Sequence, residues 1–178
     1  FEYADYLAKS NKGTASELIS RAIDDNVDLI GKRENYVSYI AKRPRAERHG
    51  THGLFTDADV PINLSQVAAE VANHDGNVWT HIISLRREDA ARLGYDNAYA
   101  WRNLLRSQAE TIAENMKIPL TDLKWYAAYH DESYHPHVHM VVYSTGKEPY
   151  LTKQGIRNLK AAFAKQIFRH DLLQVYVE

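Results

Sequence analysis

The sequence predicts an α+β fold, with a small antiparallel central sheet and helices mainly on one face. Lys124 to Ser144 reads as a β-hairpin, and Asn77 to Leu85 is a nearly continuous apolar run of strand length. Between and after them lie segments with the three-to-four spacing of amphipathic helices. With 178 residues, 44% of them hydrophobic, the chain can bury one good core and would be cramped as two domains.

Taken in order, residues 1–30 carry helical spacing at Ala15, Leu18, Ile19, Ala22 and Ile23, with Thr14 or Ser16 as N-cap. They are expected to form a helical or connecting segment, movable on the body, with Tyr3 and Tyr6 packing back. Residues 31–178 form the main domain. Glu34 to Arg43 is a short helix burying Tyr36, Val37, Ile40 and Ala41, and it stops before Pro44, which disfavours helical geometry at Arg43. The loop that follows has glycines at 50 and 53 and can approach another backbone closely. Helices follow over Leu64–His74, Glu88–Arg92, Asn97–Met116 and Thr152–Phe168. Asn77–Leu85 is expected to be a central strand, because its apolar run suits burial on both faces. Leu173 to Val177 alternates weakly, as an edge strand would.

Four of the nine histidines fall within ten residues: His130, His135, His137 and His139. Trp125–Tyr129 and His137–Tyr143 are the two strands of the hairpin, with Asp131-Glu132-Ser133-Tyr134 in a loop of roughly six residues. Alternate residues of a strand share a face, so His137 and His139 point the same way, about 7 Å apart along the chain, and can converge on one ion. His130, at the end of the neighbouring strand, is the favoured third ligand, and His135 is the alternative. Asp131 and Glu132 are candidates to hold the ring N–H groups or to act as base. His81 lies on a core strand and faces either the metal or the interior.

Composition narrows the function. There is no cysteine, which excludes disulfides, thiolate metal sites and cysteine nucleophiles. No apolar run has the length of a membrane span and no signal peptide is evident, so an intracellular location is expected. The chain reads as a piece of a longer protein. A net charge of −1 does not announce a nucleic-acid binder, but the distribution does more. Lys32, Arg33, Lys42, Arg43, Arg45 and Arg48 stand against only Glu34 and Glu47 between positions 32 and 48. Lys42, Arg43, Arg45 and Arg48 are the candidates for phosphate contacts. His49 and His52 read as ordinary loop residues.

Two motifs resemble those of the HUH-type relaxases, the DNA strand transferases that start plasmid and conjugative-element transfer, and within them the MobP group. One is His130-Asp131-Glu132-Ser133-Tyr134-His135-Pro136-His137-Val138-His139, with its His-hydrophobic-His core. The other is Tyr36-Val37-Ser38-Tyr39-Ile40-Ala41, similar to the family's segment bearing a nucleophilic tyrosine. Its position before the histidine motif is that of relaxases, whereas rolling-circle initiators place the tyrosine after. The resemblance covers roughly residues 30–175.

The resemblance implies an HUH nickase domain that cuts and rejoins one strand at an origin of transfer through a 5′-phosphotyrosine link. Tyr39 matches the nucleophile by the Val-x-Tyr-Ile pattern, with Tyr36 in reserve. The implied cofactor is a divalent metal, Mn²⁺ or Mg²⁺ foremost, with Zn²⁺, Co²⁺ or Ni²⁺ also suited to imidazole ligation. Implied partners are single-stranded origin DNA, relaxosome accessory proteins and a coupling protein. The expected state is a monomer in the bacterial cytoplasm, away from the membrane. Two other readings fit the same residues: a metal-dependent phosphodiester hydrolase using water, and a non-catalytic single-stranded nucleic-acid-binding domain.

Overall fold

A computed structural model of the chain describes residues 16–23, 32–133 and 135–171. Among these residues, four strands form one antiparallel sheet: β1 (Ser16–Ala22), β2 (Trp79–Leu85), β3 (Leu123–His130) and β4 (His137–Ser144). Their spatial order is β1-β2-β4-β3, so β2 and β4 are central, as the apolar runs of both strands require. The β3–β4 hairpin closes through residues 131–136 with His130 opposite His137, which is the expected hairpin.

Residues 16–22 are a strand, which corrects the helical reading of the N-terminal segment. They pair with β2 along its whole length, Leu18 opposite Ile83 and Ser20 opposite His81. Five apolar residues in a nine-residue window fit a helical stripe by number, but pairing with a buried neighbour outweighs so short a pattern. Tyr3, Tyr6 and the expected strand at Leu173–Val177 lie outside the described residues.

Among the described residues, six α-helices surround the sheet: α1 (Arg33–Lys42), α2 (Leu64–Ala72), α3 (Arg87–Leu93), α4 (Ala98–Ser107), α5 (Ala109–Asn115) and α6 (Lys153–Ile167). Asn63, Asn97 and Thr152 cap α2, α4 and α6 by accepting from backbone N–H groups three residues on. Helix α1 ends before Pro44, with Arg43 extended at ψ 142°. The single helix expected over 97–116 is interrupted at Gln108, where α4 gives way to α5.

Each face of the sheet has its own apolar layer. Helices α3 to α6 cover one face, packing Trp101, Leu105, Ile112, Leu159 and Phe163 against Ile83, Leu85, Tyr129, Val138 and Met140. Helices α1 and α2 cover the other, packing Tyr36, Val37, Ile40 and Val71 against Tyr126, Ala128, Val141 and Tyr143. Most helices therefore lie on one face, as expected. The two on the opposite face matter most for function, because they roof the histidine side of the sheet.

Candidate metal centre

His130, His137 and His139 come together on the α1 side of the sheet, each buried. Strand alternation puts His137 and His139 on one face of β4, and the register places His130 opposite His137 and Ala128 opposite His139. One nitrogen from each ring lies within 4.8 Å of the other two. His130 Nδ1 and His137 Nε2 are 3.3 Å apart.

The remaining nitrogens are spoken for. His130 Nε2 lies 2.8 Å from the Ile40 carbonyl, and His137 Nδ1 lies 2.9 Å from the His135 carbonyl. A carbonyl only accepts, so each ring carries its proton there. Burial, the largest cause, holds the two rings at about 4 and about 3, and both are neutral near pH 7. Two lone pairs then face each other across 3.3 Å, an arrangement that calls for a cation between them. The third ring is fixed by Tyr36, whose hydroxyl bridges Thr80 Oγ1 and His139 Nδ1 at 2.7 Å each. That leaves Nε2 of His139 as its ligand atom. The three imidazoles thus fit a divalent ion, each oriented by a hydrogen bond from its outer nitrogen.

The neighbours of this cluster differ in part from expectation. Backbone carbonyls and Tyr36 orient the rings, and the loop acids do not. Asp131 pairs with Arg87 at 2.6 Å, and Arg87 also donates to the carbonyls of Glu132 and Ser133, clamping the loop from the α3 side. Glu132 pairs with Arg43 at 2.9 Å. His135 supplies its carbonyl to His137 and stays outside the triad. His81 sits on the opposite face of β2, fully buried, 2.7 Å from Ser20 Oγ. It is an interior histidine and does not face the cluster.

Tyr36 and Tyr39 have different surroundings. Tyr36 is 1% exposed, behind His139. Tyr39 is partly buried on the flank of α1, and its hydroxyl accepts from Arg43 Nη1 at 2.8 Å, with the guanidinium 5.5 Å from its ring centre. As a like charge, the same guanidinium adds to the lowering of His130 and His137. Lys42, Arg45 and Arg48 are exposed on the segment that follows. Arg48 donates to the carbonyls of Thr51 and Lys42, and the Arg45 carbonyl accepts from Asp131 N–H. Thr80, Arg87 and the carbonyl of Ile40 were not expected at the site from the sequence. Ile40 acts through a backbone oxygen, which every residue has, and Thr80 through a lone hydroxyl on a strand, so neither carries a motif.

An antiparallel sheet bearing three converging imidazoles, roofed by a tyrosine helix and edged with cations, has the donor set to hold a divalent ion beside a phosphate. The sequence model of the family described as MobL relaxases matches residues 3–176. The chain belongs to the MobL relaxases, and its function is DNA nicking in mobilisation. The match supports the relaxase class and does not extend to the MobP grouping. No curated protein and no solved structure matched the chain. No helix among the described residues is long and apolar enough to cross a membrane.

Proposed function

We propose that this domain nicks and rejoins one strand of DNA at an origin of transfer by tyrosine transesterification. The observation that carries the reading is the 2.8 Å hydrogen bond from His130 Nε2 to the Ile40 carbonyl, which ties a member of the histidine triad to the residue next to Tyr39. Arg43, on the same segment, bonds the Tyr39 hydroxyl.

His130, His137 and His139 would hold a divalent ion, Mn²⁺ or Mg²⁺ in first place, which when bound neutralises charge on the non-bridging oxygens of the phosphate. The Tyr39 oxygen attacks phosphorus, the bond from phosphorus to the 3′-oxygen breaks, and a 5′-phosphotyrosine link forms. The phenol proton is given up to solvent, and the leaving 3′-oxygen takes one up. Because the new ester keeps the bond energy, the reverse attack by a 3′-hydroxyl rejoins the strand. Arg43 meets the phenol oxygen with positive charge, and Glu132 fixes Arg43 through its carboxylate. Asp131 acts on the loop through Arg87. Lys42, Arg45 and Arg48 lead the strand's phosphates away along the edge of the site. Accessory proteins of a relaxosome and a coupling protein would dock away from this site.

The test is the chemistry of the cut ends. Nicked single-stranded origin DNA should carry a 3′-hydroxyl that a polymerase extends and a 5′ end blocked by protein. Free 5′-phosphate ends from the start of the reaction would instead assign a hydrolase using water.

A further inference from the structure

A cavity of about 500 Å³ opens between the 49–62 loop and α4, and nothing above uses it. We infer that it is a capture pocket for one unpaired nucleobase of the substrate strand; this rests on the proposed strand-transfer function. The pocket is joined to the metal centre by a short, heavily bonded stretch of chain. His130 holds the Ile40 carbonyl, Ala46 bridges to His130, Glu47 N–H bonds the Tyr129 carbonyl, and Gly53 N–H bonds the Ala41 carbonyl. Residues 49–53, on the near wall, therefore begin where the triad's support ends.

The lining selects an uncharged planar group. Arg102 is its one arginine, and that guanidinium is committed to the Thr56 and Asp57 carbonyls and to Asp59. A phosphate would find no spare arginine here and would meet the Asp59 carboxylate. His52 is buried and held at both ring nitrogens, Nε2 donating to the Ile62 carbonyl and Nδ1 accepting from Leu54 N–H. The wall is thus braced before any ligand arrives. His49 is exposed and offers ring surface, backed edge to face at 6.3 Å by the buried Phe55. Val60, in the lining, is 63% exposed. Exposed cations on the approach (Lys42, Arg45, Arg48) and aromatic surface at the end of it form the pattern by which single strands are held: phosphates outside, a base stacked within.

The experiment compares binding of a mixed-sequence single-stranded oligonucleotide with that of an abasic phosphodiester strand of equal length. It uses the domain in chelator, so that no cutting is involved. Ala58→Trp, at an exposed lining position, plugs the pocket, and His49→Ala removes one ring face. Thermal unfolding and metal binding of each variant report that the fold is kept. Stacking energies for a single base predict a loss of about tenfold in affinity for the base-bearing strand in Ala58→Trp. A smaller loss is expected in His49→Ala, and none for the abasic strand in either. Equal affinity of wild type and Ala58→Trp for the base-bearing strand overturns the pocket while leaving the nicking function standing, as does an equal loss on both strands. Failure of the wild type to bind either strand overturns both.

Discussion

His130 Nδ1 and His137 Nε2 face each other at 3.3 Å, and the other nitrogen of each ring is committed to a backbone carbonyl. Neither ring can relieve the contact by changing tautomer without leaving a buried N–H or carbonyl unsatisfied, a cost of about 1–3 kcal/mol each. The cluster is therefore preorganised for a cation.

Metal should stabilise the domain through this cluster. At a concentration a hundred times its Kd, a bound ion adds about 2.7 kcal/mol to folding stability. Thermal unfolding with Mn²⁺ and with chelator should differ in the wild type and coincide in His137→Ala. A metal-dependent shift that persists in His137→Ala would place the ion elsewhere.

Tyr36 and Tyr39 should separate cleanly. Tyr36→Phe keeps the ring in the core and removes only the hydroxyl bonded to Thr80 and His139. Loss of such an orienting bond costs about 10- to 100-fold in metal affinity, so activity should return as Mn²⁺ is raised. Tyr39→Phe should leave metal affinity, measured by titration calorimetry, unchanged and abolish the covalent adduct at every metal concentration. Rescue of Tyr39→Phe by metal would reverse the two roles.

Arg43 touches both Tyr39, the proposed nucleophile, and Glu132. Removing a charge aimed at a reacting group slows chemistry by about 100-fold in comparable sites. Arg43→Gln should therefore lower the single-turnover rate of adduct formation to that degree, with metal affinity unaltered. Glu132→Gln, which weakens the clamp and leaves the charge, should cost less. An Arg43→Gln rate equal to wild type removes Arg43 from the reaction.

Acid stability should report His81. Burial lowers this histidine to about 4 from 6.5, so it is neutral in the fold and readily charged once unfolded. Its neutral state costs nothing above pH 6.5. As pH falls towards 4 the unfolded chain binds the extra proton, and stability drops by at most about 3 kcal/mol. His130 and His137 are lowered in the same sense, so the comparison is made between metal-free proteins. His81→Gln, which retains a partner for Ser20, should lose less stability between pH 7 and 4.5 than the wild type in denaturant titrations. Identical acid sensitivity would show that His81 does not contribute.

Much of the centre was legible because hairpins are local. The alternation of His137 and His139 and the length of the acidic loop set the ligand face, and the register confirmed His130 opposite His137. The stripe Tyr36, Val37, Ile40 and Ala41 was equally readable, since Pro44 marks the helix end and the buried residues are the spaced ones. What failed was non-local. Leu18, Ile19 and Ile23 fit helix or strand equally, and only β2 decides between them. The face of His81 depends on strand register against β4, where it opposes Met140 rather than a ligand. Thr80 and the Ile40 carbonyl joined the site through contacts 44 and 90 residues long in sequence, beyond the reach of any spacing rule.

The most direct measurement is a denaturing gel of the domain after incubation with single-stranded DNA from its own element's transfer origin and Mn²⁺. Wild type, Tyr36→Phe, Tyr39→Phe and His137→Ala would run side by side. A denaturant-resistant protein–DNA band in wild type, retained in Tyr36→Phe at high Mn²⁺ and absent from Tyr39→Phe and His137→Ala, is the predicted result. Metal-dependent cutting without a covalent band, surviving in Tyr39→Phe, would contradict the account.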